Sequence, residues 1–479
     1  MPDYEVYRLL LLATWAAFVL AFGACVGSLI NVLVYRLPRG LSVVTPPSRC
    51  PACGTRLTWR ENIPVLGWLL LRGRCRFCRG AISPEYPIVE AVTGLLFLLI
   101  FLAWYVVPAE WLAVRWGAWE LSARPEWAMN DARLTWPYLV AVLLLVGSLI
   151  AMTLIDARTS TIPLVLPWFA AAAGVLAHPL HALWVGYADP AGQLRHTADG
   201  YRWTIPTPGP SGWWWIGASL GGMAGLGASC LMLRLGLITR SFADYDQWEA
   251  SVMSPDAGAG VTTHPTADAE GSGGAASPAT GSEGTTAVAT TAPRAEASGP
   301  GPGRPELWVQ YPHARREMVR ELAFLAMPVL LGLAGGWLAA RLAGGGLPGG
   351  VLAPLWLEAL AGSLMGYLVG GGVVWGFRVF GSLAFGKEAM GLGDAHLLAA
   401  VGACIGWIDA VLGFFAAAFL GMAWELVRRA FAERFRRMLP YGPFLAAGTL
   451  LVLLAKPLIE LGLTGLLRVP PGQPPINLP

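Results

Sequence analysis

The chain has 479 residues, of which 55% are hydrophobic and only 13% charged, with a formal net charge of +3. A soluble domain carries about 25% charged residues, and the mean hydropathy here is +0.54. This excludes a water-soluble globule and indicates a polytopic membrane protein lying in a lipid bilayer. The charge is too small to indicate a nucleic-acid partner.

The first apolar run, 8–34, is too long for a signal-peptide core and predicts a retained transmembrane helix. Residues 36–86 follow, with nine Arg against Glu61 and Glu85. An Arg excess in a short loop marks the cytoplasmic side. Apolar runs at 87–107, 136–155, 162–185 and 212–238 place further helices within 87–238. The loop 108–135, acidic and rich in Trp, is assigned to the outer face, as is the Gly/Pro-rich 186–211. Residues 239–321 read as a cytoplasmic linker, disordered over about 250–303, where small residues dominate and no aromatic occurs. Such a segment cannot bury enough apolar surface to offset its ordering entropy.

Runs at 322–342, 351–377, 396–424 and 440–462 place the remaining helices within 322–462, leaving 463–479 as a tail. Gly406-Trp407-Ile408-Asp409 interrupts the 396–424 run, which reads as two short helices, 394–407 and 409–427. The count then puts Arg428, Arg429, Arg434, Arg436 and Arg437 inside, where their charge also puts them. The expected fold is an all-α polytopic membrane protein of about ten transmembrane segments.

Cys50-Pro-Ala-Cys53 and Cys75-Arg-Phe-Cys78 stand in the first cytoplasmic loop. Each CxxC puts two thiolates on one tight turn, and two such turns complete a tetrahedron around Zn²⁺. In a reducing compartment metal is favoured over disulfides. The expectation is a small four-cysteine zinc module between the first two helices, structural because a four-thiolate site has no open position. Cys25, Cys230 and Cys404 lie in apolar runs and read as packing residues.

Ionisable groups at membrane depth are costly, so they are read first as functional. Asp156 closes one apolar run and Asp394, in Met390-Gly391-Leu392-Gly393-Asp394, opens another. Both fall at cytoplasmic ends of spans. Two carboxylates sharing a site cannot both ionise easily, so one can act as general acid and the other as general base on a water. Gly391 and Gly393 would let the backbone approach closely beside Asp394. The residues alone leave open that each Asp only caps a helix. Asp409 falls at an outer hairpin tip and is the weaker candidate.

Taken together these motifs resemble the prepilin peptidases, or type IV leader peptidases, which are GxGD-type membrane aspartic proteases. The resemblance rests on Gly27-Ser28-Leu29-Ile30-Asn31-Val32, the Cys quartet, Leu71-Arg72-Gly73-Arg74-Cys75, and Ile155-Asp156 to Ile162-Pro163. It continues through Gly386-Lys387-Glu388, Met390 to Asp394, and Pro440-Tyr441-Gly442-Pro443-Phe444. It implies cleavage of the short basic leader of type IV prepilins or type II secretion pseudopilins, on the cytoplasmic side of the bacterial inner membrane. It implies Asp156 and Asp394 as the catalytic pair, and methylation of the new N-terminus with S-adenosylmethionine. Gly391, Gly393, Lys387 and Glu388 would support the motif, and the four Cys would hold the zinc of a methylation-linked module.

Two departures bear on the site. Where such enzymes have Lys two residues after the GxGD aspartate, this chain has His396. Residues i and i+2 of a helix do not share a face, so a positioning or headgroup role is expected for it. The runs 212–238 and 322–342, with the linker between them, have no counterpart in a minimal relative. Two other readings stand beside the peptidase: an ion-coupled transporter with the two Asp as relay, and a non-catalytic assembly platform recruiting partners through the zinc module.

Overall fold

The structure is a computed structural model. It describes residues 2–117, 119–122, 124–125, 128, 132–188, 204–244, 313–344, 351–386, 389–431, 440–470 and 473–476. The expected disordered stretch at 250–303 and Arg434, Arg436 and Arg437 lie outside the described residues. Residues Met1–Ser241 and His313–Pro479 make one unit and Phe242–Pro312 make a second.

The helices are α1 (Pro2–Arg36), α2 (Leu66–Leu70), α3 (Glu85–Phe101), α4 (Ala132–Thr159), α5 (Val165–Ala188) and α6 (Trp213–Arg234). After the linker come α7 (Ala314–Gly344), α8 (Leu355–Phe385), α9 (Leu392–Ile405), α10 (Trp407–Ala430) and α11 (Gly442–Leu466). Among the described residues nine helices are long and apolar enough to cross a membrane, and Leu392–Ile405 is a shorter apolar one. With α9 the total matches the ten segments expected from the apolar runs. The break between α9 and α10 falls at Gly406, at φ +90°, a region closed to most L-residues. Among the described residues the all-α expectation has one exception within 108–135: β1 (Ala113–Trp116) and β2 (Trp119–Ser122) form an antiparallel hairpin with Val114 opposite Leu121.

Small residues let these helices touch backbone to backbone, the packing that membranes favour because lipid supplies no hydrophobic drive between helices. A Cβ at Gly27 of α1 would lie 2.6 Å from the Cα of Glu90 on α3. Gly217, Gly221 and Gly225, one turn apart on α6, face the carbonyls of Gly335, Leu331 and Met327 on α7. At the centre, every residue of α9 from Leu397 to Ile405 is buried. Gly366 and Gly370 of α8 lie against the backbone of Gly402 and Leu398, and a Cβ at Gly174 of α5 would meet the Ala403 carbonyl at 2.6 Å.

With 14 residues, α9 is about 21 Å long, against about 30 Å of bilayer hydrocarbon. The shortfall is filled from a segment expected to be outer loop. Thr204, Ile205, Pro206 and Thr207 are all buried, and a Cβ at Gly406 would meet Pro206 Cδ at 2.5 Å. Fully buried His178 of α5 lies 2.9 Å by Nε2 from the Cys404 carbonyl and 3.2 Å by Nδ1 from Thr204 Oγ1. The carbonyl can only accept, so Nε2 carries the proton and Thr204 donates to Nδ1. His178 thereby satisfies a helix-end carbonyl that has no partner within α9. Of the three lone cysteines only Cys404 is buried; Cys25 and Cys230 are exposed on their helices, so a packing role holds for Cys404 alone.

Candidate active site and metal centre

The loop between α1 and α3 is built from two similar knuckles. In the first, Cys50 N–H donates to Thr55 O and Gly54 N–H to Cys50 O, each at 2.9 Å. In the second, Cys75 N–H donates to Gly80 O at 2.9 Å and Arg79 N–H to Cys75 O at 3.0 Å. The residue after each second cysteine is left-handed: Gly54 at φ +69° and Arg79 at φ +56°. The Trp68 ring closes over Gly73, and its indole N–H donates to Ile82 O at 3.1 Å. The module is fastened to the helices at both ends. Arg36 donates to the carbonyls of Ser42, Val43 and Pro46, and Val65 N–H donates to Glu90 Oε2 at 2.6 Å.

The four thiol sulfurs of Cys50, Cys53, Cys75 and Cys78 all lie within 4.8 Å of one another, and the Cys50–Cys78 pair is 3.8 Å apart. A tetrahedron of Zn–S bonds near 2.3 Å has edges of about 3.8 Å, so the donor set fits one metal ion. The electrostatics point the same way. Hydrogen bonding by Thr55 brings the Cys53 thiol down to about 6, and the backbone N–H groups of Cys78 and Phe77 lower Cys75. Against a lowering by the Gly80 N–H, burial and the three neighbouring thiols push Cys78 up to about 11. Four thiolates this close would repel one another, and a cation among them would offset that repulsion.

The two carboxylates are brought together from distant parts of the chain. Asp156, in the last turn of α4, is 6% exposed and Asp394, in the first turn of α9, is 9% exposed. They lie within electrostatic reach of each other. Neither is a simple cap. The N-cap of α9 is Gly391, with φ −70° and ψ 144°, ordinary extended backbone rather than a distortion only glycine allows. Asp394 stands three residues later, and its carboxylate faces back to the Gly391 N–H, as an N3 acid does in a capping box. The Asp156 carboxylate faces the backbone N–H of Gly442 at the start of α11, where a Cβ would lie 2.7 Å from Oδ2.

Gly393 serves close approach. A Cβ there would meet Ile162 Cβ at 3.0 Å, so the turn after Asp156 packs directly on the GxGD segment. Tyr441 lies within electrostatic reach of Asp394, its hydroxyl donating to Phe414 O at 3.1 Å. His396 is turned away, edge-on to Trp168 of α5 with ring centroids 6.4 Å apart. Lys387 and Glu388 lie outside the described residues. Arg158, two residues past Asp156, pairs with Glu85 at the start of α3, which puts the carboxylates at the same end of the bundle as the cysteine module. Asp409 is at the other end, 2.8 Å from Lys456 Nζ. Sequence reasoning places the Pro440–Phe444 block in the motif set without giving it a role; the structure shows that it supplies Gly442 and Tyr441.

Residues 21–104 match the bacterial peptidase A24 N-terminal domain. The chain is similar to proteins named prepilin leader peptidase/N-methyltransferase. With that of Myxococcus xanthus it is 55% identical over 83 residues, 17% of this chain and 25% of the relative. With that of Dickeya chrysanthemi it is 33% identical over 172 residues, 31% of this chain and 50% of the relative. It is 39% identical over 100 residues, 17% of this chain and 37% of the relative, to a "Type 4 prepilin-like proteins leader peptide-processing enzyme" of Escherichia coli. The chain thus spans a quarter to a half of the length of these relatives. No solved structure matches.

Proposed function

We propose that this chain is a membrane-embedded aspartic endopeptidase that removes the short basic leader of type IV prepilins or type II secretion pseudopilins. The observation that carries this is the convergence of Asp156 and Asp394, buried together at the module's end of the bundle. One carboxylate takes a proton from a water as its oxygen attacks the scissile carbonyl carbon, while the other donates a proton to the carbonyl oxygen. Collapse of the tetrahedral adduct breaks the C–N bond, and the leaving nitrogen takes a proton to become the new N-terminal amine. The Gly442 N–H holds Asp156 from the α11 side, and the Ile162–Gly393 contact sets the spacing of the two acids.

Cys50, Cys53, Cys75 and Cys78 would hold Zn²⁺, which supplies a structural cross-link to the module. The location that fits is the bacterial inner membrane with both the module and the carboxylates on the cytoplasmic side, where the arginines of 36–86 would lie. N-methylation of the new terminus by S-adenosylmethionine is supported by the relatives' names. The transporter reading accounts for two buried acids but not for a four-cysteine module at the same end of the bundle, and the similar proteins are named as processing enzymes.

The test is co-expression with a prepilin, reading leader loss as a gel shift. Asp156→Asn and Asp394→Asn are each expected to abolish cleavage while the protein still inserts and keeps its metal. Asn keeps the size of Asp and an acceptor oxygen for the Gly391 and Gly442 N–H groups but cannot exchange the proton. The double variant is expected to be no worse than either single one, because the two act as a unit. Processing by either Asn variant at an appreciable fraction of the wild-type rate would make that Asp structural.

A further inference from the structure

The helices α6 and α7, which lie outside the stretches that carry the family resemblance, reach the GxGD segment through a buried ion pair of α7. Arg378 near the end of α8 is 1% exposed and Glu321 of α7 is 2% exposed. Arg378 Nε donates to Glu321 Oε1 at 2.8 Å. The same carboxylate accepts from Trp375 Nε1 at 2.8 Å and from the Ser241 hydroxyl at 3.0 Å. The guanidinium then extends past the pair: Nη1 donates to the carbonyl of Met390, the residue before Gly391. A second tie runs from Ala389 N–H to Ser382 Oγ of α8 at 3.2 Å. The far side of α7 is itself locked to α6 by the glycine contacts and by Ser229 Oγ donating to Phe324 O at 2.6 Å.

A buried ion pair is weak evidence for a role in stability, since well-packed apolar residues often replace one without loss. What an apolar pair cannot do is donate to the Met390 carbonyl. A guanidinium can, because it presents several donors in a fixed fork and bonds two acceptors at once. Only three residues separate Met390 from Asp394, so the position of this carbonyl sets the start of α9.

We propose that Glu321 and Arg378 are positioning residues through which the inserted α6–α7 pair holds the GxGD segment in register. This rests on the peptidase reading. Glu321 orients Arg378, and Arg378 holds the Met390 carbonyl, so that Asp394 meets Asp156 in one geometry. The proposal gives the insertion a part in the catalytic end of the bundle.

The test uses the full-length protein with three readouts: kcat and KM for prepilin cleavage, thermal unfolding, and hydrogen exchange of the amides from 389 to 394. The double variant Glu321→Met/Arg378→Met restores an apolar match. It is expected to unfold near the wild-type temperature with KM little changed, but with kcat lowered about 10- to 100-fold, the scale of a small misplacement of a reacting group. Its 389–394 amides are expected to exchange faster. A double variant with wild-type kcat and wild-type exchange would overturn the proposal. If it fails to accumulate, Arg378→Lys decides: Lys keeps a positive charge for Glu321, but a single ammonium replaces the fork that also reaches the Met390 carbonyl, and a kcat and exchange identical to wild type would overturn the proposal equally. A wild-type protein that cleaves no prepilin would instead sink the peptidase reading, and the exchange measurement still tests the contact.

Discussion

At Gly442 a Cβ would stand 2.7 Å from Oδ2 of Asp156 and 3.4 Å from Ile162 Cδ1. A methyl group there has nowhere to go without moving the carboxylate. Gly442→Ala is therefore expected to insert and hold metal normally but to lose about 100-fold in kcat, the cost of an ångström-scale misplacement. Leader-cleavage kinetics check this, and an Ala variant with wild-type kcat would show that Asp156 tolerates displacement. The two aspartates are visible in the sequence because an acid bordering an apolar run stands out on cost alone. The resemblance marks Gly442 within the Pro440–Phe444 block, but its role is not legible there, because that role comes from a partner in another helix. Glu321 and Arg378 are hidden for the same reason: each reads as an ordinary charge on its own helix until the fold brings them together.

Among the elements, the cysteine module is the most readable, since CxxC spacing specifies both the turn and its ligands. The wild-type protein is expected to carry one zinc per chain, and Cys50→Ser to release it and loosen residues 45–82, with cleavage less affected. Elemental analysis and limited proteolysis measure these, and a metal-free wild type would remove the zinc. Protons compete with metal for the thiols, so affinity is expected to weaken as pH falls. The sign follows from the sites: Cys53, near 6, gives up its proton readily, whereas Cys78, near 11, must lose one to the metal at neutral pH. Zinc retention across a pH series checks it. What spacing does not reveal is the second knuckle's Arg79, which holds at φ +56° the position that Gly54 fills without strain. The segment Thr204–Thr207 also departs from its expected place. Its Gly/Pro-rich surroundings look like an outer loop, and only the short α9 makes a place for it inside.

On the scale of the whole molecule, ten helices are legible because a bilayer requires long apolar runs, and Gly406 is legible as a break because it ends one. How the helices pair is not, since lipid-facing and helix-facing apolar residues look alike in sequence. The α6–α7 contact shows the difference. Gly221 lies against the Leu331 carbonyl with no room for a side chain, so Gly221→Leu is expected to force the two helices apart. A loss of about 2 kcal/mol or more in stability is expected, in the range of overpacked cores. Thermal unfolding in detergent reads it, and an unchanged transition would mean that the pair is not held by this contact.

The shortness of α9 has a consequence for biogenesis. About 20 apolar residues are needed for a segment to partition into the bilayer by itself, and α9 has 14. It is expected to enter as a hairpin with α10 folded back at Gly406, its retention depending on helices already in place. A reporter fused after Gly406 should then stay on the side where α9 begins. One fused after Ala430 should also be found there, with α9 now protected from protease. A reporter carried across by α9 alone would show that this helix inserts by its own hydrophobicity.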